Sequence, residues 1–114
     1  MIEVLRNPIT RAQLRQIAED SSMELVKAVV DVERGVMAIG GELHSDEESI
    51  LLDEGSHQRD LWGINLYPLF EKDSMIEFDS MINIRPSHGN RSRTVEDKGL
   101  KQRIHDVVHY LIKG

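Results

Sequence analysis

The sequence contains no cysteine, which excludes disulfide bonds, thiolate metal sites and a cysteine nucleophile. It has no apolar run close to the roughly 20 residues that a membrane-spanning helix needs. Residues 1–6 also lack the apolar core of a signal peptide. These absences favour a soluble, cytoplasmic protein without a membrane segment.

Basic residues are scarce relative to acidic ones. The chain has 14 lysines and arginines against 20 aspartates and glutamates, a net charge of −6, so a broad electrostatic surface for nucleic acid is disfavoured. Its 114 residues suffice for a domain that buries roughly two thirds of the surface of its unfolded chain. We expect a single domain over residues 1–114.

Two amphipathic helices are indicated, one near each end of the sequence. Thr10 and Gln13 have the spacing of a capping box, and an apolar stripe follows. Near the other end, apolar residues recur at helical spacing from Leu100 to Leu111, with Asp97 as the expected N-cap. Both helices are expected to cover one face of a sheet.

A β-hairpin is predicted between them. Residues 25–31 and 36–41 are joined by a three-residue loop that ends in glycine, and this loop sets Val30 opposite Ala38. Both faces of the hairpin are apolar, as in central strands that are covered on both sides. The same apolar faces raise a further hypothesis, a structural or interaction protein that binds another protein or forms a homo-oligomer.

Two further strands are predicted from alternating apolar and polar residues, at 61–67 and 76–85. Pairing them with matched faces sets Asn65 opposite Asp79. The outward face then carries a polar group that adjoins the loop after the second strand: Asn65, Asp79, Asn83 and Arg85. With an edge strand at residues 2–5, the sequence predicts an α+β fold, an antiparallel meander of about five strands with an N-terminal and a C-terminal helix packed on one face.

Residues 85–93 reverse the charge of the chain locally. This loop holds three arginines and no acid, so removing its charge of +3 from the total of −6 leaves −9 for the rest. Glycine, serine and asparagine let backbone N–H groups turn toward a ligand, and arginine binds carboxylate or phosphate through paired hydrogen bonds. The leading hypothesis is a small binding domain for an anionic ligand. Its site residues are Arg85, His88, Asn90, Arg91, Ser92 and Arg93. The open alternative is a solvated turn whose arginines pair with nearby carboxylates.

Glu42, His44 and Asp46 suggest a different chemistry. In an extended chain these alternating residues point to one side and form a mixed nitrogen and oxygen set for a divalent metal, with His57 or His88 as a further ligand. This set predicts a hydrolytic enzyme, with or without the metal, and no other cofactor is expected. A solvated strand end is the alternative.

Three motifs carry a resemblance to a known family: Gly-Gly-Glu-Leu-His-Ser-Asp at 40–46, Leu-Trp-Gly-Ile-Asn-Leu-Tyr-Pro at 61–68, and Ile-Asn-Ile-Arg-Pro at 82–86 continuing through Gly-Asn-Arg-Ser at 89–92. Over nearly its whole length the chain resembles a family of short prokaryotic proteins catalogued only as a domain of unknown function. The resemblance implies a stand-alone cytoplasmic domain and supplies no activity, substrate or catalytic residue.

Overall fold

The computed structural model describes residues 1–114 and has an α+β fold. The strands are β1 (Glu3–Leu5), β2 (Ile9–Thr10), β3 (Val26–Asp31), β4 (Val36–Ile39), β5 (Leu61–Leu66), β6 (Ile76–Glu77) and β7 (Ile112–Lys113). The helices are α1 (Arg11–Asp20), α2 (His44–Asp53) and α3 (Lys98–Leu111). Five strands form one antiparallel sheet in the order β1-β4-β3-β5-β6, and β2 pairs with β7 in parallel. None of the helices has the length and apolar character required to cross a membrane.

The two helix predictions are confirmed, with their caps. Thr10 Oγ1 accepts a hydrogen bond from the backbone N–H of Gln13 at 3.0 Å, and Gln13 Oε1 accepts one from the N–H of Thr10 at 2.8 Å. Such a cap contributes about 1 kcal/mol to helix stability. Asp97 caps α3 by accepting a hydrogen bond from the N–H of Leu100 at 2.7 Å. The capping residues therefore define where both helices begin.

The sheet lies between two apolar clusters. Since side chains alternate across a strand, Val30 contributes to one cluster and Val29 to the other. Buried residues of α1 and α3 belong to the first cluster, and Leu51 of α2 belongs to the second. The hairpin of β3 and β4 is thus covered on both faces within the chain, as expected for central strands. The predicted arrangement with helices on one face omits α2, which the sequence did not indicate.

The register of the hairpin differs from the prediction by one residue. Val30 pairs with Met37 rather than Ala38, because the loop contains four residues and not three. The carboxylate of Asp31 explains the longer loop, since its Oδ1 accepts two backbone N–H groups of the turn at 2.9 Å each. This side chain provides the hydrogen bonds that hold the longer turn.

The polar residues 42–48 are not extended. His44 and Asp46 lie in the first turn of α2, so the extended conformation that would align them with Glu42 is wrong. No group of three histidine, aspartate or glutamate side chains lies close enough together to hold a metal ion.

The predicted strand over 76–85 is much shorter in the structure. β6 ends at Glu77, and short 3-10 turns follow at Met81–Asn83 and Pro86–His88. Asn65 pairs with Glu77 in the sheet, two residues away from the predicted partner Asp79. Asn83, which was predicted to face outward, is fully buried.

Candidate functional site

A cleft of about 250 Å³ lies between the start of α2 and the segment that follows β6. We call it the His44 cleft. It brings together residues from several separate predictions and some that were not predicted. The lining residues are Lys27, Leu43, His44, Ser45, Asn65, Asp79, Ser80, Met81, Ile82 and Arg93.

Arg93 is the loop arginine that reaches the cleft. Its Nε lies 2.7 Å from Asp79 Oδ1, and its side chain is 56% exposed. The backbone beneath it is fixed, because the carbonyl oxygen of Arg93 accepts hydrogen bonds from Asn83 Nδ2 at 2.9 Å and from the N–H of Ser80 at 3.1 Å. The shortest contact of Asp79 is with Nε, and the terminal nitrogens of the guanidinium, which carry four of its five protons, donate no hydrogen bond within the chain.

Lys27 and the first turn of α2 add positive charge to the same cleft. Lys27 Nζ donates one hydrogen bond, to the carbonyl oxygen of Glu42 at 2.9 Å, and has two further protons to donate. The N-cap residue of α2 is Leu43, which supplies no capping hydrogen bond. The helix therefore presents uncapped N–H groups and the positive end of its dipole beside Ser45.

His44 is held in one orientation by the main chain. Its Nε2 lies 2.8 Å from the carbonyl oxygen of Ile64. A carbonyl can only accept, so in the neutral ring the proton is on Nε2 and Nδ1 carries a lone pair. Burial lowers the pKa of His44, although the hydrogen bond to Ile64 and the neighbouring Asn65 amide partly oppose this effect. The ring is therefore neutral at neutral pH.

Asn65 lies beside it with one unsatisfied atom. The residue is 7% exposed, and its Nδ2 donates to Glu77 Oε1 at 2.8 Å and to the carbonyl oxygen of Asp79 at 3.2 Å. Its Oδ1 is buried and has no hydrogen-bond partner in the chain. Such atoms are uncommon in folded proteins, because an unpaired buried acceptor costs roughly 1–3 kcal/mol.

Arg85 does not lie in the cleft. It is only 8% exposed, and its guanidinium donates to the carbonyl oxygens of Ile82 at 3.0 Å and Leu61 at 2.5 Å. It also lies 3.5 Å from a carboxylate oxygen of Glu48 and 4.6 Å from the centre of the Trp62 ring. Arg85 therefore joins the segment after β6 to β5 and α2.

Asn90 and Ser92 hold the loop together. The Nδ2 group of Asn90 donates to the carbonyl oxygens of Asn83, Ser92 and Thr94 at 2.7 to 3.1 Å. Its Oδ1 accepts the backbone N–H of Glu96 at 2.9 Å. Asn90 is buried, and its side chain joins the loop to the residues on both sides of it.

The backbone donors expected to bind an external anion already hold one. Glu96 Oε2 accepts hydrogen bonds from the N–H groups of Arg91 and Ser92 and from Ser92 Oγ, at 2.8 to 2.9 Å. The hydrogen bond from Ser92 is the main reason that the pKa of Glu96 is lowered. His88 and the side chain of Arg91 are exposed on the loop surface.

The residues of the predicted metal set are separated. His44 lines the cleft, whereas Glu42 and Asp46 are exposed. Glu42 instead borders a different groove of about 390 Å³ that shares Lys27 with the cleft. Of the predicted strand face, Asn65 and Asp79 reach the cleft and Asn83 does not.

The sequence carried signals for two features that were missed. Lys27 is the only charged residue before the last position of β3, where Asp31 begins the turn, and this marks it as different from its apolar neighbours. Gly63 lies in the interior of β5, where glycine indicates close approach of another segment. Ser45 and Ser80 had no distinguishing signal.

Neither the curated proteins nor the solved structures include a match to this chain. One family model matches, over residues 3–111. The chain therefore belongs to the family described as "Protein of unknown function (DUF5674)".

Proposed function

We propose that this protein binds a small anionic ligand, a carboxylate or a phosphate, in the His44 cleft. Arg93 and Lys27 hold the anion, and the uncapped start of α2 adds its dipole. The carrying observation is the ion pair of 2.7 Å between Arg93 Nε and Asp79, because it places the guanidinium beside the cleft while its terminal nitrogens donate no hydrogen bond within the chain.

The charge pattern around the cleft supports this proposal. Asp79 balances one of the two cations, so a net positive charge remains in a protein whose total charge is −6. The exposed Arg91 on the adjoining loop adds to the local potential, which attracts anions at long range. Asn90 and Ser92 support the site indirectly, because their contacts set the path of the loop that presents Arg93.

The size of the cleft restricts the ligand. A volume of about 250 Å³ lies below the roughly 300–1,000 Å³ of pockets that hold drug-sized molecules. The ligand is therefore a small metabolite or the charged end of a larger one.

An anion titration followed by NMR tests the proposal. Untagged, isotope-labelled protein is titrated with phosphate, acetate and propionate at constant ionic strength, in parallel with Arg93→Gln and Arg91→Gln. We expect saturable shifts of the amides of His44 and Ser45 with at least one anion. Arg93→Gln should weaken this binding at least tenfold, a loss of about 1.4 kcal/mol, whereas Arg91→Gln should change it less than twofold.

Arg91→Gln is the matched control, because it removes the same charge two residues away from the cleft. If Arg91→Gln weakens binding and Arg93→Gln does not, the anion site is on the loop surface and the cleft proposal is wrong. Absence of saturable binding to every anion also overturns it.

A second candidate is an enzyme in which His44 acts as a general base. The hydrogen bond of 2.8 Å from Nε2 to Ile64 favours it, because it leaves a lone pair on Nδ1 in a neutral ring. Hydrolysis of p-nitrophenyl acetate by the wild-type protein and His44→Gln is the first test. Equal rates for the two proteins would exclude His44 as the base for that ester.

A further inference from the structure

We infer that the ligand of the His44 cleft carries a hydrogen-bond donor, an amino or hydroxyl group, beside its anionic group. Asn65 Oδ1 and His44 Nδ1 accept from this donor. The inference rests on the proposed function, because it names the class of anion that the same cleft selects.

The orientation of the Asn65 amide is fixed by its surroundings. Both groups near Nδ2, the Glu77 carboxylate at 2.8 Å and the Asp79 carbonyl at 3.2 Å, can only accept hydrogen bonds. Exchanging the nitrogen and oxygen of the amide would place acceptor against acceptor on that side. Oδ1 is therefore directed away from them, buried and without a partner.

The orientation of His44 is fixed in the same way. Nε2 donates to the carbonyl oxygen of Ile64, so Nδ1 is an acceptor whenever the ring is neutral. Both side chains line the cleft, and a hydrogen bond from the protonated His44 ring to the Asn65 amide oxygen raises the pKa of His44. In the neutral ring Nδ1 has no proton to donate to Oδ1. Two adjacent acceptors without a donor between them form an incomplete hydrogen-bonding set.

A ligand completes this set if it has a donor close to its charge. Arg93 and Lys27 bind the anionic group, and the two acceptors bind an N–H or O–H group one or two bonds away from it. Amino acids, 2-hydroxy acids and short aminophosphonates have this pattern. Simple carboxylates and phosphonates lack the donor and leave both acceptors unpaired. This loss of binding free energy lets the site discriminate against ligands without a donor.

Two pairs of ligands of equal size test the inference. Lactate is compared with butyrate, which has the same number of heavy atoms but no hydroxyl group. Aminomethylphosphonate is compared with ethylphosphonate, in which a methyl group replaces the amino group. Dissociation constants are measured by NMR at pH 7.5 for the wild-type protein, His44→Gln and Arg93→Gln. Glutamine keeps a side-chain N–H for the Ile64 carbonyl but lacks the ring acceptor Nδ1.

We expect the wild-type protein to prefer the donor-bearing member of at least one pair tenfold or more. In His44→Gln the preference should fall below threefold. Arg93→Gln should weaken both members together.

Equal binding of both members of each pair by the wild-type protein, still dependent on Arg93, overturns the inference and leaves the proposed function standing. Equal weakening of both members by His44→Gln assigns His44 a structural role and also overturns the inference. If no member of either pair binds, the proposed function fails together with this inference.

Discussion

The side-chain amide of Asn83 pairs with both backbone polar groups of Gly63. Nδ2 donates to the carbonyl oxygen of Gly63 and Oδ1 accepts its N–H, each at 2.9 Å. A neighbouring strand would make the same two hydrogen bonds, but β6 has already ended at Glu77. One side chain thus replaces a strand along this part of β5 and holds the segment that leads to Arg93.

Replacing Asn83 with alanine should destabilise the protein strongly. The change removes the side-chain partners of the Gly63 N–H and the Gly63 carbonyl, and one of the two donors to the Arg93 carbonyl. Because an unpaired buried group costs about 1–3 kcal/mol, we expect the free energy of unfolding to fall by roughly 3 kcal/mol or more. Urea denaturation measures it. The control is Asn7→Ala at an exposed position, and equal stability of the two variants would contradict the replacement of a strand by Asn83.

Gly63→Ala should be destabilising for a steric reason. A Cβ at this position would lie 2.5 Å from both Cβ and Oγ of Ser80, and such overpacking typically costs about 1–3 kcal/mol. Ser80→Gly should recover part of the loss in the double variant, whereas Ser80→Ala should not, because it keeps the clashing Cβ. A double-mutant cycle with thermal unfolding gives the coupling. Additive effects of the two changes would show that Gly63 and Ser80 do not share the strain.

Arg85→Met should affect stability and leave anion binding unchanged. Removing the guanidinium leaves the Glu48 carboxylate, which is 13% exposed, without its cation, and breaking a buried pair costs about 3–5 kcal/mol. Arg15→Met is the control, since Arg15 pairs with Glu19 on the exposed surface of α1. Chemical denaturation and the phosphate titration are both needed. Loss of phosphate affinity in a folded Arg85→Met protein would contradict this prediction and show that Arg85 belongs to the anion site.

Glu47 should make the protein less stable as pH rises. Burial raises the pKa of this carboxyl group from about 4.5 to about 9, so between these values the folded state keeps a proton that the unfolded state has lost. The stabilisation is complete below about pH 4.5 and declines toward pH 9, by at most about 1.4 kcal/mol per pH unit. Glu47→Gln should remove this slope while retaining an acceptor for the N–H of Gly41, which Glu47 now binds at 2.9 Å.

Unfolding midpoints of the wild-type protein and Glu47→Gln from pH 5 to pH 8.5 test this dependence. The exposed Glu24→Gln variant is the control and should follow the wild-type curve. Parallel curves for the wild-type protein and Glu47→Gln would show that Glu47 titrates normally in the folded state.

The elements that the sequence predicted well are those with a repeating apolar pattern. α3 has an apolar stripe and a capping aspartate, and β5 alternates Trp62, Ile64 and Leu66 toward one cluster. In these segments local preference and tertiary packing agree. The capping box predicted the start of α1 correctly for the same reason.

α2 was missed because its pattern is weak. Its buried residues are Glu47 and Leu51, and its N-cap is a leucine, so neither an apolar stripe nor a capping side chain marks the helix. Glu47 is buried, whereas a glutamate in a sequence usually indicates an exposed position. Only the second apolar cluster, which Leu51 completes, makes the helix necessary.

The candidate site was predicted in part for a related reason. Arg93, His44, Asn65 and Asp79 were named from three different patterns, but their meeting in one cleft depends on α2 and on the short β6. Asn83 and Arg85 were taken as outward because polar residues on alternating strands usually are. Both donate hydrogen bonds to backbone carbonyls instead, and alternation alone carries no information on such partners.

The pairing of Ile9 with Ile112 has a consequence for synthesis of the chain. All strands of the main sheet lie within residues 3–77, so the sheet can form before α3 and β7 have left the ribosome. Until then the apolar face that Ile104, Val108 and Leu111 cover is open to solvent and to other nascent chains. The docking of α3 and β7 onto the folded sheet is the last step, and it removes the exposed surface. Translation that stalls before α3 should therefore yield an aggregation-prone fragment instead of a shortened domain.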